Sequence, residues 1–201
     1  VIGGIGMLPA NVIWKPHSGL GFEHLEISES NERLIFDSLV MGMNEQGEWV
    51  RTHYVIELDS KWATRKVTIR HLGKTDGLCL LSDGQGEWTN AEGEPIPELA
   101  GCVDIDISCT PFTNTLPIRR LSFAPHVPQE IDVVYFSAYE LTWRRVRQQY
   151  TLLSADAGSS VFEYRAGSFV ENITVDEQGL VLAYPDLFVR ENLAVAEAGK
   201  A

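Results

Sequence analysis

Between Gly101 and Leu121 the chain gathers two carboxylates, several hydroxyls, one carboxamide and two guanidiniums into one short span. Val103, Ile105 and Ile107 alternate with Asp104, Asp106 and Ser108, the period of a strand, which sets both aspartates on one face about 6–7 Å apart. That spacing suits a carboxylate pair in acid–base work, where each group shifts the ionisation of the other. It suits equally two aspartates on a solvated strand. Arg119 and Arg120 offer planar forks for carboxylate, phosphate or sugar oxygens, which lysine cannot match. Being adjacent, their side chains diverge: one can face a cavity while the other pairs at the surface, or both can serve as ion-pair partners of Asp104 or Asp106.

Other chemistries lack their signatures. His17, His24, His53, His71 and His126 show no metal-ligand spacing, and Cys79, Cys102 and Cys109 form neither a zinc pattern nor a disulfide framework. Buried free thiols are the expectation. There is no Gly-x-Ser-x-Gly elbow, no phosphate-cradling loop and no Gly-x-Gly-x-x-Gly after a strand. Asn172-Ile-Thr174 fits a glycosylation triplet, a pattern frequent by chance. No cofactor and no metal are expected.

The elements that must position these groups read as strands almost throughout. Phe22–Ile27, Glu32–Gly42, Trp49–Asp59 and Trp62–Leu72 are short apolar or alternating runs separated by turn signals such as Asn44–Gly47 and Gly73–Gly77. Within the first, Glu23 or His24 is placed to face a cavity, or to stand at a solvated strand entrance. Leu78–Leu81, Glu87–Thr89, Gln129–Leu141, Arg144–Leu153, Val161–Arg165, Phe169–Asp176 and Leu180–Tyr184 continue the pattern. Only Thr115–Leu121, where Pro117 suits a first helical turn, and the Ala/Glu-rich tail suggest helix. The predicted class is all-β, a large antiparallel sheet curled into a barrel, half-barrel or roll, with at most one or two short helices. Tyr54–Asp59 and Phe169–Asp176 look alike, a weak hint of two related halves. Tyr54, Tyr150, Tyr164, Tyr184 and five tryptophans are numerous for strand faces; most belong to the core, and a few lining a concave sheet would suit a sugar ring or acyl chain.

A formal charge of -12 repels phosphate backbones and anionic headgroups, so neither nucleic acid nor a membrane surface is an expected partner. Arg119, Arg120, Arg144, Arg145 and Arg147 make either a local positive field or a set of ion pairs. No apolar run approaches the roughly 18 residues of a membrane helix, so no integral membrane association is expected. Residues 1–10 are apolar but lack the basic segment of a secretory signal. A cytoplasmic location is expected, with a processed exported form as the alternative. Residues 1–13 are assigned to a leader or cloning remnant, with Met7 as a candidate native start, 14–190 to one β domain, and 191–201 to a tail.

The run Gly101-Cys-Val-Asp-Ile-Asp-Ile-Ser-Cys-Thr-Pro-Phe-Thr-Asn-Thr-Leu-Pro-Ile-Arg-Arg120 resembles the bacterial putative glycolipid-binding family, once a domain of unknown function. So do Trp14 with Gly21-Phe-Glu23, Tyr54–Trp62, Arg147-Gln-Gln-Tyr150 and Gly179–Phe188, so that the likeness runs from about Trp14 to Arg190. Cys109 departs from it, standing where many relatives carry a small residue. The resemblance implies a curled sheet akin to lipoprotein carriers, holding lipid in a half-barrel cavity, and it supplies no catalytic residues. The expected partner is therefore an amphiphilic, glycolipid-like small molecule, with the oligomeric state left open. Its chain would lie in an apolar cavity, and its head would meet Glu23, Asp104, Asp106, Asn114, Arg119, Arg120 and Tyr184. Two alternatives stand beside binding. One is an enzyme acting on a small polar or phosphorylated metabolite, with Asp104 or Asp106 as base and the arginines as clamp. The other is a structural or assembly protein whose polar cluster ties the crossing segment to the sheet.

Overall fold

A computed structural model describes residues 8–44 and 46–192. The expected leader lies outside these residues over 1–7, as does the expected tail from 193 onward. Asn11 already belongs to the sheet, so the β domain begins ahead of position 14.

The first seven strands form a meander: β1 (Asn11–Pro16), β2 (Gly21–Ser30), β3 (Arg33–Met43), β4 (Trp49–Leu58), β5 (Thr64–His71), β6 (Gly77–Ser82) and β7 (Trp88–Asn90). The chain then crosses to β8 (Asp104–Ile107) and the short helix α1 (Thr115–Arg120). The second run comprises β9 (Gln129–Ser137), β10 (Thr142–Asp156), β11 (Ser159–Ala166), β12 (Phe169–Asp176), β13 (Val181–Tyr184) and β14 (Phe188–Arg190). One 14-stranded sheet results, in the order β7-β6-β5-β4-β3-β2-β1-β14-β13-β12-β11-β10-β9-β8. The β1·β14 pair, with Trp14 opposite Arg190, joins the two runs. The look-alike stretches Tyr54–Asp59 and Phe169–Asp176 fall at the end of β4 and on β12, each the fourth strand of its run.

The all-β class holds, and every pair is antiparallel but one. β8 runs parallel to β9, Asp104 opposite Val133 and Asp106 opposite Tyr135, because the chain reaches β9 through the helix and not through a hairpin. Among the described residues the sheet does not close, and β7 and β8 stand at its two edges. It curls far enough that His71 Nε2, at the end of β5, lies 2.8 Å from the carbonyl of Ala138, beyond β9.

Alternation explains the concave face. Leu34, Phe36, Ser38 and Val40 on β3, and Thr52, Tyr54, Ile56 and Leu58 on β4, are the buried members of period-2 strands. Residues 109–118 are buried without a break and plug this face. Phe112 stacks on Phe36 with ring centroids 4.5 Å apart. Leu116 joins the core of the first run while Ile118 joins that of the second, so the helix spans both. The start of the segment is pinned where Gly101 N donates to the Gly86 carbonyl at 2.9 Å. A Cβ on Gly86, whose φ is +104°, would lie 2.7 Å from the Gly101 Cα, so the approach needs glycine.

Candidate functional site

Glu23 sits on β2 between Trp14 of β1 and Val40 of β3, on the concave face. It is 2 % exposed. Its Oε1 accepts from Ser38 Oγ at 2.8 Å, from Thr110 Oγ1 at 2.9 Å, and from the Tyr54 hydroxyl in a very short bond. Its Oε2 has no partner among the described residues. Burial pushes the carboxyl up to about 7, against the pull of those three hydroxyl donors. His24 points the other way, toward Asn11 Oδ1 at 2.8 Å on the exposed face.

Glu23 lines a cavity of about 380 Å³ whose walls include Trp14, Leu20, Phe22, Val40, Met41 and Phe188. Leu20, Phe22 and Met43 are exposed where it opens, giving an apolar entrance. A second cavity, of about 750 Å³, shares the walls Ser108 and Phe188 with the first. Thr110 lines the larger cavity while bonding to Glu23 of the smaller, so the two meet at that hydroxyl.

The larger cavity is polar and aromatic. Asp106, Asn114 and Tyr184 face it, as do Tyr135, Gln148, Tyr164 and Phe169. Asp106 Oδ2 accepts from Gln148 Nε2 at 2.6 Å and lies 3.5 Å from the Tyr164 hydroxyl, while Oδ1 accepts from Thr113 Oγ1 at 3.2 Å. Burial pushes this carboxyl up as well, with those three donors opposing. Asn114 accepts from the Tyr150 hydroxyl at 2.9 Å. Tyr164 stands edge-on to Tyr184 and Phe169, with centroids 6.2 and 6.0 Å away. Arg144, Arg145 and Arg147 also border this space. Arg145 and Arg147 both pair with Asp132, at 2.5 and 3.1 Å, and Arg144 lies over the Tyr135 ring at 5.0 Å.

Asp104 and the tandem arginines lie elsewhere. Asp104, 1 % exposed, receives the fork of Arg120: Nε to Oδ1 at 3.0 Å and Nη2 to Oδ2 at 2.5 Å. Burial pushes Asp104 up while the bonds and charge of Arg120 pull it back. Arg119 lies over the Trp62 ring at 4.2 Å and donates to the Gln178 carbonyl at 2.5 Å. Both arginines border a third cavity, of about 640 Å³, with Phe123, Phe162 and Asp176. The seven candidates therefore divide: Glu23 in the apolar cavity, Asp106, Asn114 and Tyr184 in the polar one, Arg119 and Arg120 on the third, and Asp104 inside an ion pair. Asp106 and the tandem arginines border different cavities, whereas Asp104 is held directly by Arg120.

Ser38, Tyr54, Thr110, Thr113, Gln148 and Tyr164 complete the two carboxylate networks without having been singled out as site residues. For Gln148 and Tyr150 the signal was available, since both are inward members of the alternating run Arg147-Gln-Gln-Tyr150. Cys102 and Cys109 are buried, Cys79 is half-buried, and all three are free. Among the described residues no group of three or more His, Cys, Asp and Glu is placed to hold a metal ion, and no helix is long and apolar enough to cross a membrane.

An unclosed, curled all-β sheet plugged by one crossing segment, with the buried Glu23 and the half-buried Asp106 at two adjoining cavities, defines the class. Residues 11–190 match the family described as putative glycolipid-binding, and the chain belongs to that family, in agreement with the resemblance of its motifs. The crystal structure of a DUF1089 family protein from Pseudomonas aeruginosa is similar, at 34% sequence identity and a TM-score of 0.73, covering 95% of this chain and 98% of that one. A search of the curated proteins found no match.

Proposed function

We propose that the protein binds an amphiphile of the glycolipid type without transforming it. The sugar-like head would lie in the 750 Å³ cavity and the chain in the 380 Å³ cavity. The observation that carries this reading is the adjoining of a polar, aromatic space and an apolar one through Ser108, Phe188 and Thr110. Tyr164, Tyr184 and Phe169 offer the rings on which a pyranose packs, and Asp106, Asn114 and Gln148 offer acceptors and donors for its hydroxyls. Both volumes fall in the range of about 300–1,000 Å³ usual for small-molecule sites. The exposed Leu20, Phe22 and Met43 favour entry of a chain. The family description points the same way.

Titration calorimetry with n-dodecyl β-D-maltoside below its critical micelle concentration tests the reading, with maltose and dodecanol as the separated halves. The intact amphiphile binds, and more tightly than either half. Equal affinity for maltose alone would make the site a sugar site, and absence of binding by all three would remove the amphiphile reading.

A further inference from the structure

The Glu23 carboxyl is asymmetric. Oε1 takes three hydroxyl donors, from Ser38 on β3, Tyr54 on β4 and Thr110 on the crossing segment. Each hydroxyl has one hydrogen to give; Ser38 and Tyr54 also reach the His24 carbonyl and Thr110 Oγ1, both at 3.2 Å, but their contacts with Oε1 are shorter, and giving the hydrogen there keeps that oxygen an acceptor. A proton on this carboxyl therefore belongs on Oε2, the buried oxygen that no described residue satisfies. Buried polar atoms left so are rare and call for an explanation. Its residue lines the apolar cavity, and its carboxyl accepts from Thr110, which lines the next cavity.

The surroundings decide which state a ligand would favour. No described Lys, Arg or His lines the apolar cavity, and Glu23 is its only described carboxyl. The other titratable groups nearby are Cys109 from the crossing segment and Tyr139 from the turn after β9, which line the cavity, and Tyr54 from β4, which is bonded to Glu23, all pushed up by burial and neutral across the physiological range. A chain entering this cavity displaces the water that alone can solvate an ionised Oε2, and brings no positive charge in exchange. The neutral acid then prevails, and a neutral acid is a donor seeking an acceptor.

Building on the amphiphile reading, we infer that Glu23 Oε2–H donates a hydrogen bond to an acceptor oxygen at the junction of head and chain, an ester, amide or glycosidic oxygen, so that binding requires a proton on Glu23. Above neutrality that proton is taken from solvent on binding, and the protein becomes a carrier that loads at low pH and releases at high pH.

The test uses dodecyl maltoside, whose glycosidic oxygen joins head and chain. With Glu23 near 7 in the free protein, about 3% of molecules hold the proton at pH 8.5, so the apparent Kd rises about 30-fold from pH 5.5 to 8.5. Calorimetry at pH 8 in two buffers of different ionisation enthalpy reads uptake of about 0.9 proton per ligand. Glu23→Gln places an NH2 where the acid places its O–H, so the variant binds at pH 8.5 as wild type does at pH 5.5 and takes up no proton. Carbon NMR of the Glu23 carboxyl in wild type adds a reading independent of that variant's folding: saturation with ligand moves its titration upward. A flat or rising affinity with pH, proton release on binding, or full uptake retained in Glu23→Gln overturns the inference while leaving amphiphile binding in place. Absence of binding at every pH overturns both.

Discussion

Thr110 Oγ1 donates to Glu23 Oε1 at 2.9 Å, tying the crossing segment to β2 across 87 residues of chain. The same oxygen accepts from the Phe112 N–H at 3.0 Å, so one hydroxyl fixes both the turn into the plug and the buried carboxyl. Thr110→Val keeps the shape and removes the hydroxyl. It leaves the Phe112 N–H and part of Glu23 unsatisfied, at a cost of about 1–3 kcal/mol in urea unfolding. Because that bond holds the Glu23 carboxyl down, its titration moves further above 7 in the variant. An unchanged midpoint and an unchanged carboxyl titration would show the bond to be incidental.

Glu23 also sets a pH dependence of folding. Its folded carboxyl titrates near 7, against an ordinary value of 4.5, so between those limits the folded state holds a proton that the unfolded chain gives up. Stability from this group is full below pH 4.5, falls as pH rises through 7 by a total of about 3 kcal/mol, and is flat above. Glu23→Gln has no proton to lose, so the wild-type-minus-variant difference in unfolding free energy slopes downward between pH 4.5 and 7. Asp106, also pushed up by burial, titrates in both proteins and cancels in that difference. A level difference would count against a buried, proton-holding Glu23.

Removing Arg120 strands Asp104. Arg120→Ala leaves a carboxylate 1 % exposed with its fork gone, which costs about 3–5 kcal/mol. Asp104→Leu combined with Arg120→Met removes both charges and recovers most of that loss. A single variant within about 1 kcal/mol of wild type would mean that water reaches Asp104 and that the pair does little for the fold.

The sequence made the strands legible because each side of a sheet repeats every second residue, and Tyr54, Ile56 and Leu58 declare their shared face without help from the rest of the chain. Pro117 likewise marked the helix. What alternation cannot tell is whether an aspartate meets water or an arginine. Asp104 and Asp106 share one face of β8, yet one is locked to Arg120, sixteen residues on, and the other is held by Gln148, forty-two residues on. Glu23 was legible as a cavity candidate, but its three donors lie 15, 31 and 87 residues away, and nothing local announces them. The tandem arginines looked like a head-group clamp because their chemistry is versatile. Their neighbours Asp104, Trp62 and Gln178 come from the fold alone.

The plug contributes through burial as well as hydrogen bonds. Phe112 is fully buried against Phe36 at the heart of the first run, so Phe112→Ala leaves a cavity and costs about 3–5 kcal/mol. The equivalent truncation at Phe123, half-buried and edge-on to Phe162, costs markedly less. Paired denaturant unfolding curves check the order, and equal losses would show that the segment does not anchor the core.

Binding variants separate the polar cavity from the arginine cavity. Tyr184 and Asp106 face the first, whereas Arg119 borders the third and rests on Trp62. Tyr184→Ala removes a ring face from the proposed head site and weakens dodecyl maltoside about 10-fold, or about 1.4 kcal/mol. Asp106→Asn replaces a carboxylate that accepts from Gln148 and, in the proposed complex, from sugar hydroxyls, and weakens it in the same direction. Arg119→Ala, with circular dichroism confirming the fold, leaves the affinity within about twofold, because its guanidinium is directed at Gln178 and Trp62 and not at the polar cavity. Dodecanol alone responds to none of the three, since the proposed site for its chain is the apolar cavity. The reverse pattern, affinity lost with Arg119 and kept without Tyr184, would move the head site to the 640 Å³ cavity beside Phe162 and Asp176.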